Sequence, residues 1–449
     1  VAVDPEFAAS SLKPNDAKGP RSEVVGPSKP RLWKILGPGL ITGASDDDPS
    51  GIATYSQAGA QYGYRLAWTL LFTYPLMFVV QAISARIGRT TGRGLAGNLR
   101  EHYPNTVLQS VVALLFAANT LNIGADLAAM GEATRLLIPS APTWTCVVFF
   151  GMLCAAGQVF LKHRRYVALL KWLSLSLFAY FAVVCVEKVP WSTVAKELVM
   201  PRLAFDRDFW MMVVAILGTT ISPYLFFWQA AQEVEDTKAK PEREPLRERP
   251  SQGRAALERI RLDTLVGMGF SNLVALAIMI SAAATLHSRG LQDISSAADA
   301  AEALRPVAGH FAFALFALGI LGTGLLSVPV LAGSAAYALG EARRWPVGLS
   351  RKPREAKAFY GAIIVATFLG AAANAAAINA VDALVWAAII NALVAVPVMA
   401  LLVLMGSSPR IMKQFTISGR WKVLGWIATG VMAIAGVAFL VALFTRQGA

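Results

Sequence analysis

GPGLITGASDDDPSGIATYSQAG, residues 37–59, is the stretch on which the fold turns. It is an apolar, Gly- and Ala-rich run of membrane-helix length. At its midpoint stand three consecutive acids, Asp46, Asp47 and Asp48, followed by Pro49, Ser50 and Gly51. Proline removes an amide donor and clashes with the preceding turn, and Gly and Ser loosen it further. A second run, MMVVAILGTTISPYLFFWQAAQ at 211–232, is interrupted in the same way at Gly218, Thr219, Thr220, Ser222 and Pro223. Unwound backbone at bilayer depth is tolerated only where it is buried in protein or lines a cavity. Matching breaks in corresponding helices therefore point to a binding site near the midplane.

The rest of the chain fits a membrane setting. Of 449 residues, 55% are hydrophobic and only 15% charged, against roughly a quarter charged in soluble proteins. Apolar runs near 35–59, 66–88, 106–137, 144–161, 167–187, 209–231, 263–286, 309–339, 357–377, 381–405 and 421–444 predict eleven transmembrane helices and an all-α integral membrane protein. The net charge of +13 invites a nucleic-acid reading, but 32 of the 41 Lys and Arg fall in segments on one side of this topology. That asymmetry is a positive-inside signal and puts the N-terminus in the cytoplasm, with no nucleic acid as partner. In a bacterium the location is the inner membrane. Cys146, Cys154 and Cys185 lie inside apolar runs at no metal-site spacing and read as small core residues.

The organisation follows from the longest charged segment, 232–262, which divides ten spans into five and five. An odd number of helices per half makes the second half enter the membrane inverted, the plan of secondary transporters. Residues 1–34, polar and without an apolar core, are expected to be a disordered cytoplasmic segment. The first repeat is expected at 35–208 and the second at 209–406, with 407–449 forming a loop and an eleventh helix.

A carboxylate at the bilayer centre costs about 2.5–3.5 kcal/mol on insertion scales. No span offers Arg or Lys at that depth to pair with Asp46, Asp47 and Asp48. Water, protonation or a cation must hold them. Oxygen-only surroundings, from Asp48, Thr219, Thr220, Ser222 and freed carbonyls, suit a hard divalent ion such as Mg²⁺ or Mn²⁺. The lack of His or Cys in either break argues against zinc or copper. Asp46 and Asp47 are assigned to an outer shell or a water-filled vestibule, with Asp48 touching the ion.

These residues resemble the NRAMP divalent-metal transporters. The pattern of Gly37, Pro38 and Gly39 followed by Asp48-Pro49 is similar to that family's opening helix. ARIGRTTGRGLA at 85–96, GADLAAMGE at 124–132 and FALGILGTGLLSVPVLAGS at 316–334 continue the likeness. The resemblance implies a LeuT-type 5+5 inverted repeat with helices 1 and 6 broken. It also implies a metal site at Asp48, Gly51, Thr219 and Ser222, flanked by the break residues Pro49, Ser50, Gly218, Pro223 and Tyr224.

Three departures from the family pattern matter. Its Asp-Pro-Gly-Asn reads Asp48-Pro49-Ser50-Gly51, so a side-chain ligand is deleted at Gly51. Its Met-Pro-His reads Ser222-Pro223-Tyr224, so the thioether that favours transition metals over hard ions is gone. The acidic pair of its third helix keeps Asp126 and loses its partner at Ala129. The pattern is closest to the NRAMP-related magnesium transporter branch, and it predicts a roomy oxygen-lined site for Mg²⁺ with Mn²⁺ also carried. Asp126 is the candidate for proton or ion coupling, or a neutral hydrogen-bonded core acid. The expected function is divalent-cation transport into the cytoplasm by alternating access, possible as a uniport and carried out by a monomer in the lipid bilayer. No cofactor is expected beyond the carried ion. The rivals are a proton-coupled Mn²⁺/Fe²⁺ symporter and, further off, a sodium-coupled amino-acid symporter. An enzyme is not expected, since adjacent aspartates on one strand do not face each other.

Overall fold

The computed structural model describes residues 38–160, 175–204, 206–240, 242–374 and 379–445. The expected N-terminal segment 1–34, Gly37 and the first part of the expected fifth span lie outside those residues. Among the described residues all regular structure is helical.

The first expected span is two helices, α1 (Pro38–Asp46) and α2 (Pro49–Tyr62). Next come α3 (Ala67–Thr91), the short α4 (Leu95–His102), α5 (Asn105–Leu137) and α6 (Thr143–Phe160). Then follow α7 (Phe178–Val186) and α8 (Trp191–Val199), and the divided sixth span as α9 (Arg207–Thr220) and α10 (Pro223–Lys238). The remaining long helices are α11 (Gly253–Thr285), α12 (Ala312–Ala342), α13 (Lys357–Ala373), α14 (Ala380–Ser407) and α15 (Arg420–Thr445).

Among the described residues, eight stretches are long and apolar enough to cross a membrane, with α9 and α10 counted together. A ninth candidate is the pair Leu175–Val186 and Trp191–Val199, bent by 116°. Of the eleven expected crossings, the first is thus divided by its acids and the ninth is a helix of 17 residues, while the 116° bend falls just past the expected end of the fifth. Beyond the bend, α8 buries Val194 and Glu197 and exposes Trp191. Apolar side chains such as Phe149, Met152, Phe368 and Ile434 are exposed, which suits faces bathed in lipid rather than water.

The charged connection is shorter than the expected 232–262. Helix α10 runs on to Lys238 and α11 begins at Gly253. The segment between them docks on the end of α3: Leu246 N–H donates to Arg89 O at 3.3 Å and Arg247 N–H to Thr90 O at 3.1 Å. The Arg89 guanidinium reaches Gln252 Oε1 at 2.7 Å. The two backbone bonds satisfy carbonyls at the end of α3, which its helix cannot, and with the Arg89 contact they fasten a Pro- and charge-rich stretch there.

Both breaks are enclosed by helices from both halves. Helix α11 packs along α1 and α2, α9 lies on α14, α10 on α3, and α12 and α14 on α5. Two glycines permit the closest approaches. A Cβ at Gly43 of α1 would overlap the Gly267 backbone of α11, and one at Gly218 of α9 would overlap Ala388 O of α14.

Candidate functional site

The two breaks are equivalent, each two residues long. In the first, α1 ends at Asp46, Asp47 and Asp48 are non-helical, and Pro49 is the first residue of α2. In the second, α9 ends at Thr220, Ile221 and Ser222 are non-helical, and Pro223 starts α10. Proline suits a first helical position because its missing N–H would have no partner there. Ser50 and Tyr224, expected at the breaks, sit inside the following helices, and Gly218 sits inside α9. Gly218 serves the contact with Ala388 rather than the unwinding. Two helix C-termini and two N-termini therefore meet at one level, bringing orphan carbonyls and amides together.

Asp48 is the N-cap of α2, with φ −75° and ψ 171°. Its Oδ1 accepts from Gly51 N–H at 2.7 Å and Ser50 Oγ at 2.8 Å. Its Oδ2 accepts from Asn122 Nδ2 at 3.3 Å and Tyr224 Oη at 3.5 Å. The side chain is 2% exposed. Ser50 Oγ is also 3.5 Å from Thr219 Oγ1, which joins α2 to α9. Tyr55 Oη and Thr220 Oγ1, 3.2 Å apart, make the next rung. Of the expected ligands, Asp48 and Thr219 thus share one cluster.

The other expected site residues are placed differently. Gly51 reaches Asp48 through its N–H, and the space there is not roomy. A Cβ at this position would stand 3.2 Å from Thr219 Oγ1 and 3.3 Å from Tyr55 Cε2. The room left by the deleted side chain is filled by neighbours from α9 and α2. Ser222 turns its hydroxyl back to α9, donating to Gly218 O at 2.8 Å and Thr219 O at 3.0 Å. Its lone pairs remain able to accept.

Asp46 and Asp47, expected at a vestibule, are buried, and both face α11. Ser271 Oγ lies 2.6 Å from Asp46 Oδ2 and 3.1 Å from Asp47 Oδ1. Asp46 and Asp47 share Ser271 while Asp48 has other partners, and among the described residues no three of His, Cys, Asp or Glu converge as a metal-binding group. Asp126, on α5 one turn beyond Asn122, accepts from Ser327 Oγ of α12 at 2.7 Å and is fully buried.

Sequence reasoning missed Asn122 and Tyr224 as neighbours of Asp48. Asn122 is 74 residues away and Tyr224 is 176, so no local motif joins them. A buried amide in an apolar span was the available signal for Asn122.

The cluster is closed on both sides. Towards the 239–252 connection, Gly39 N–H at the start of α1 donates to Asp263 Oδ2 at 2.7 Å. Arg259 stands 3.9 Å from that carboxylate and also pairs with buried Glu233 of α10. One guanidinium thus ties α10 to α11, and through Asp263 to the mouth of α1. On the opposite side, Gln57 Oε1 of α2 accepts from Ile294 N–H at 2.9 Å. His287 Nδ1 lies 2.8 Å from Ala60 O.

Residues 39–442 match the family described as Nramp, natural resistance-associated macrophage protein-like. The chain is similar to the divalent metal cation transporter MntH of Ralstonia nicotianae, 30% identical over 331 residues, 71% of this chain and 72% of that one. MntH of Verminephrobacter eiseniae is 28% identical over 305 residues, 66% of each chain. In structure the chain resembles the Eremococcus coleocola manganese transporter solved with an aromatic bis-isothiourea compound. The TM-score is 0.72 at 19% identity, over 94% of this chain and 90% of that one. MhsT in complex with L-phenylalanine shares the fold more distantly, with TM-score 0.55 at 13% identity over 90% and 97% of the two chains.

Proposed function

The chain belongs to the Nramp family, and we propose that it carries Mg²⁺, and Mn²⁺ as well, across the membrane by alternating access. The observation that carries this reading is the set of atoms around Asp48. Beside its carboxylate stand the hydroxyls of Ser50 and Tyr224 and the amide of Asn122, with the Thr219 hydroxyl one contact further, at Ser50. Sulfur and imidazole are not in that set, and oxygen donors suit hard divalent ions. The relatives named above as divalent metal cation transporters support the substrate class.

Asp48 supplies charge, Thr219 and Ser222 supply hydroxyl oxygens, and the ends of α1 and α9 supply carbonyl dipoles that favour a cation. Alternating access follows if the Arg259 contacts and the Gln57 contacts open in turn while Asp48 holds the ion. Proton drive is not required by the energetics. Two charges moving down an inside-negative potential gain about 4.6 kcal/mol per 100 mV, at ~2.3 each. The second reading, proton-coupled Mn²⁺ or Fe²⁺ symport, draws on Asp126, a buried intramembrane acid of the kind that relays protons.

The test is Mg²⁺ and Mn²⁺ uptake into proteoliposomes under a set potential, with a pH dye inside. Uptake of both ions without acidification is expected, and Asp48→Ala is expected to lower it by about 100-fold or more. Mn²⁺ uptake with acidification and no Mg²⁺ would establish the symporter instead.

A further inference from the structure

We infer that Asn122 is itself a ligand of the carried cation, contributing an amide oxygen beside Asp48 in place of the asparagine side chain deleted at Gly51. This rests on the metal-transport reading above. Asn122 lies on α5, opposite the break, and is 0% exposed. Its Nδ2 donates to Asp48 Oδ2. Its Oδ1 is buried and has no hydrogen-bond partner among the described residues. An amide oxygen left that way is costly, and buried polar atoms in folded proteins are almost always satisfied.

The two ends of a carboxamide are interchangeable by half a turn about the Cβ–Cγ bond, and the local network decides which end faces a neighbour. With Nδ2 towards Asp48 the group is a donor to a carboxylate. Turned over, it presents Oδ1 at the same place, to a cation held by Asp48 Oδ2. The amide oxygen is a neutral hard donor, suited to Mg²⁺ and Mn²⁺. Gly51 has no side-chain oxygen to offer, and Thr219 and Tyr55 stand close to where one would have to enter. The ligand lost from α2 is thus recovered from α5.

A merely positioning role, in which Asn122 only steadies Asp48, is separated by changing the chemistry of the atom offered. Uptake KM values for Mg²⁺, Mn²⁺ and Cd²⁺ are measured in proteoliposomes for the wild type, Asn122→Met and Asn122→Ala, with thermal unfolding of each purified protein as the check on folding. If Asn122 touches the ion, Asn122→Met improves the KM for Cd²⁺ relative to Mg²⁺ by about tenfold, because a thioether prefers softer metals. Asn122→Ala raises the KM for Mg²⁺ and Mn²⁺ by about tenfold with the maximal rate largely kept.

A Cd²⁺ to Mg²⁺ ratio within about twofold of wild type, with both KM values raised together, overturns the inference. Asn122→His, nearly isosteric and carrying a nitrogen donor, gives an independent reading if the Met variant does not fold. Its expected result is a shift from Mg²⁺ towards Mn²⁺, and an unchanged preference overturns the inference equally. Wild-type vesicles that take up none of the three ions overturn the transport reading, and this inference with it.

Discussion

Gly51→Asn restores the residue that the family pattern has at this position, and the structure predicts that it damages the protein. The new Cβ would sit 3.2 Å from Thr219 Oγ1 and 3.3 Å from Tyr55 Cε2, tighter than ordinary contact on two sides. Overpacking of this kind costs about 1–3 kcal/mol. Asn is better than Gly inside a helix by only about 0.3 kcal/mol, so the net loss is about 1–2.5 kcal/mol. Thr219→Ala removes the nearer obstacle and, for stability, gives up the 3.5 Å contact with Ser50.

The double variant should therefore regain about 1 kcal/mol relative to the sum of the single changes. Thermal unfolding of the purified wild type, both singles and the double closes this cycle. The reasoning is refuted if Gly51→Asn unfolds at the wild-type temperature, or if Thr219→Ala adds independently to its effect.

Two further outcomes follow from the buried charges. Arg259→Met leaves Glu233 and Asp263, each with a fully buried side chain, without their shared guanidinium and should cost about 3–5 kcal/mol. Adding Glu233→Gln should recover a substantial part, and a denaturant or thermal titration showing no recovery would reject the latch. Asp126→Asn keeps an acceptor for Ser327 Oγ and should leave Mg²⁺ uptake within about threefold of wild type if no proton is carried. Loss of uptake together with loss of intravesicular acidification would assign Asp126 to coupling.

The membrane class, the positions of nearly all helices and both breaks were legible in the sequence. Apolar length, the scarcity of charge and the Asp48-Pro49 and Ser222-Pro223 pairs are local signals, and local signals survive in one dimension. The extent of the 232–262 connection was not legible. Residues 254–262 do fall in a helix, but the bonds that fasten the Pro-rich centre to the end of α3 come from a distant helix and leave no local signal.

The site divides in the same way. Asp48 stood out as an acid at a helix break in an apolar run, a costly position for a carboxylate. The separate fates of Asp46 and Asp47 depended on Ser271 of α11, more than 200 residues away. The crowding at Gly51 depended on Thr219, and the company of Asp48 on Asn122 and Tyr224. Sequence by itself determined which residues carry charge and where the helices cannot continue, because both are properties of a residue and its nearest neighbours. Which atoms face that charge was decided only by the tertiary structure, since they arrive on α5, α9, α10 and α11 and meet only when those helices pack.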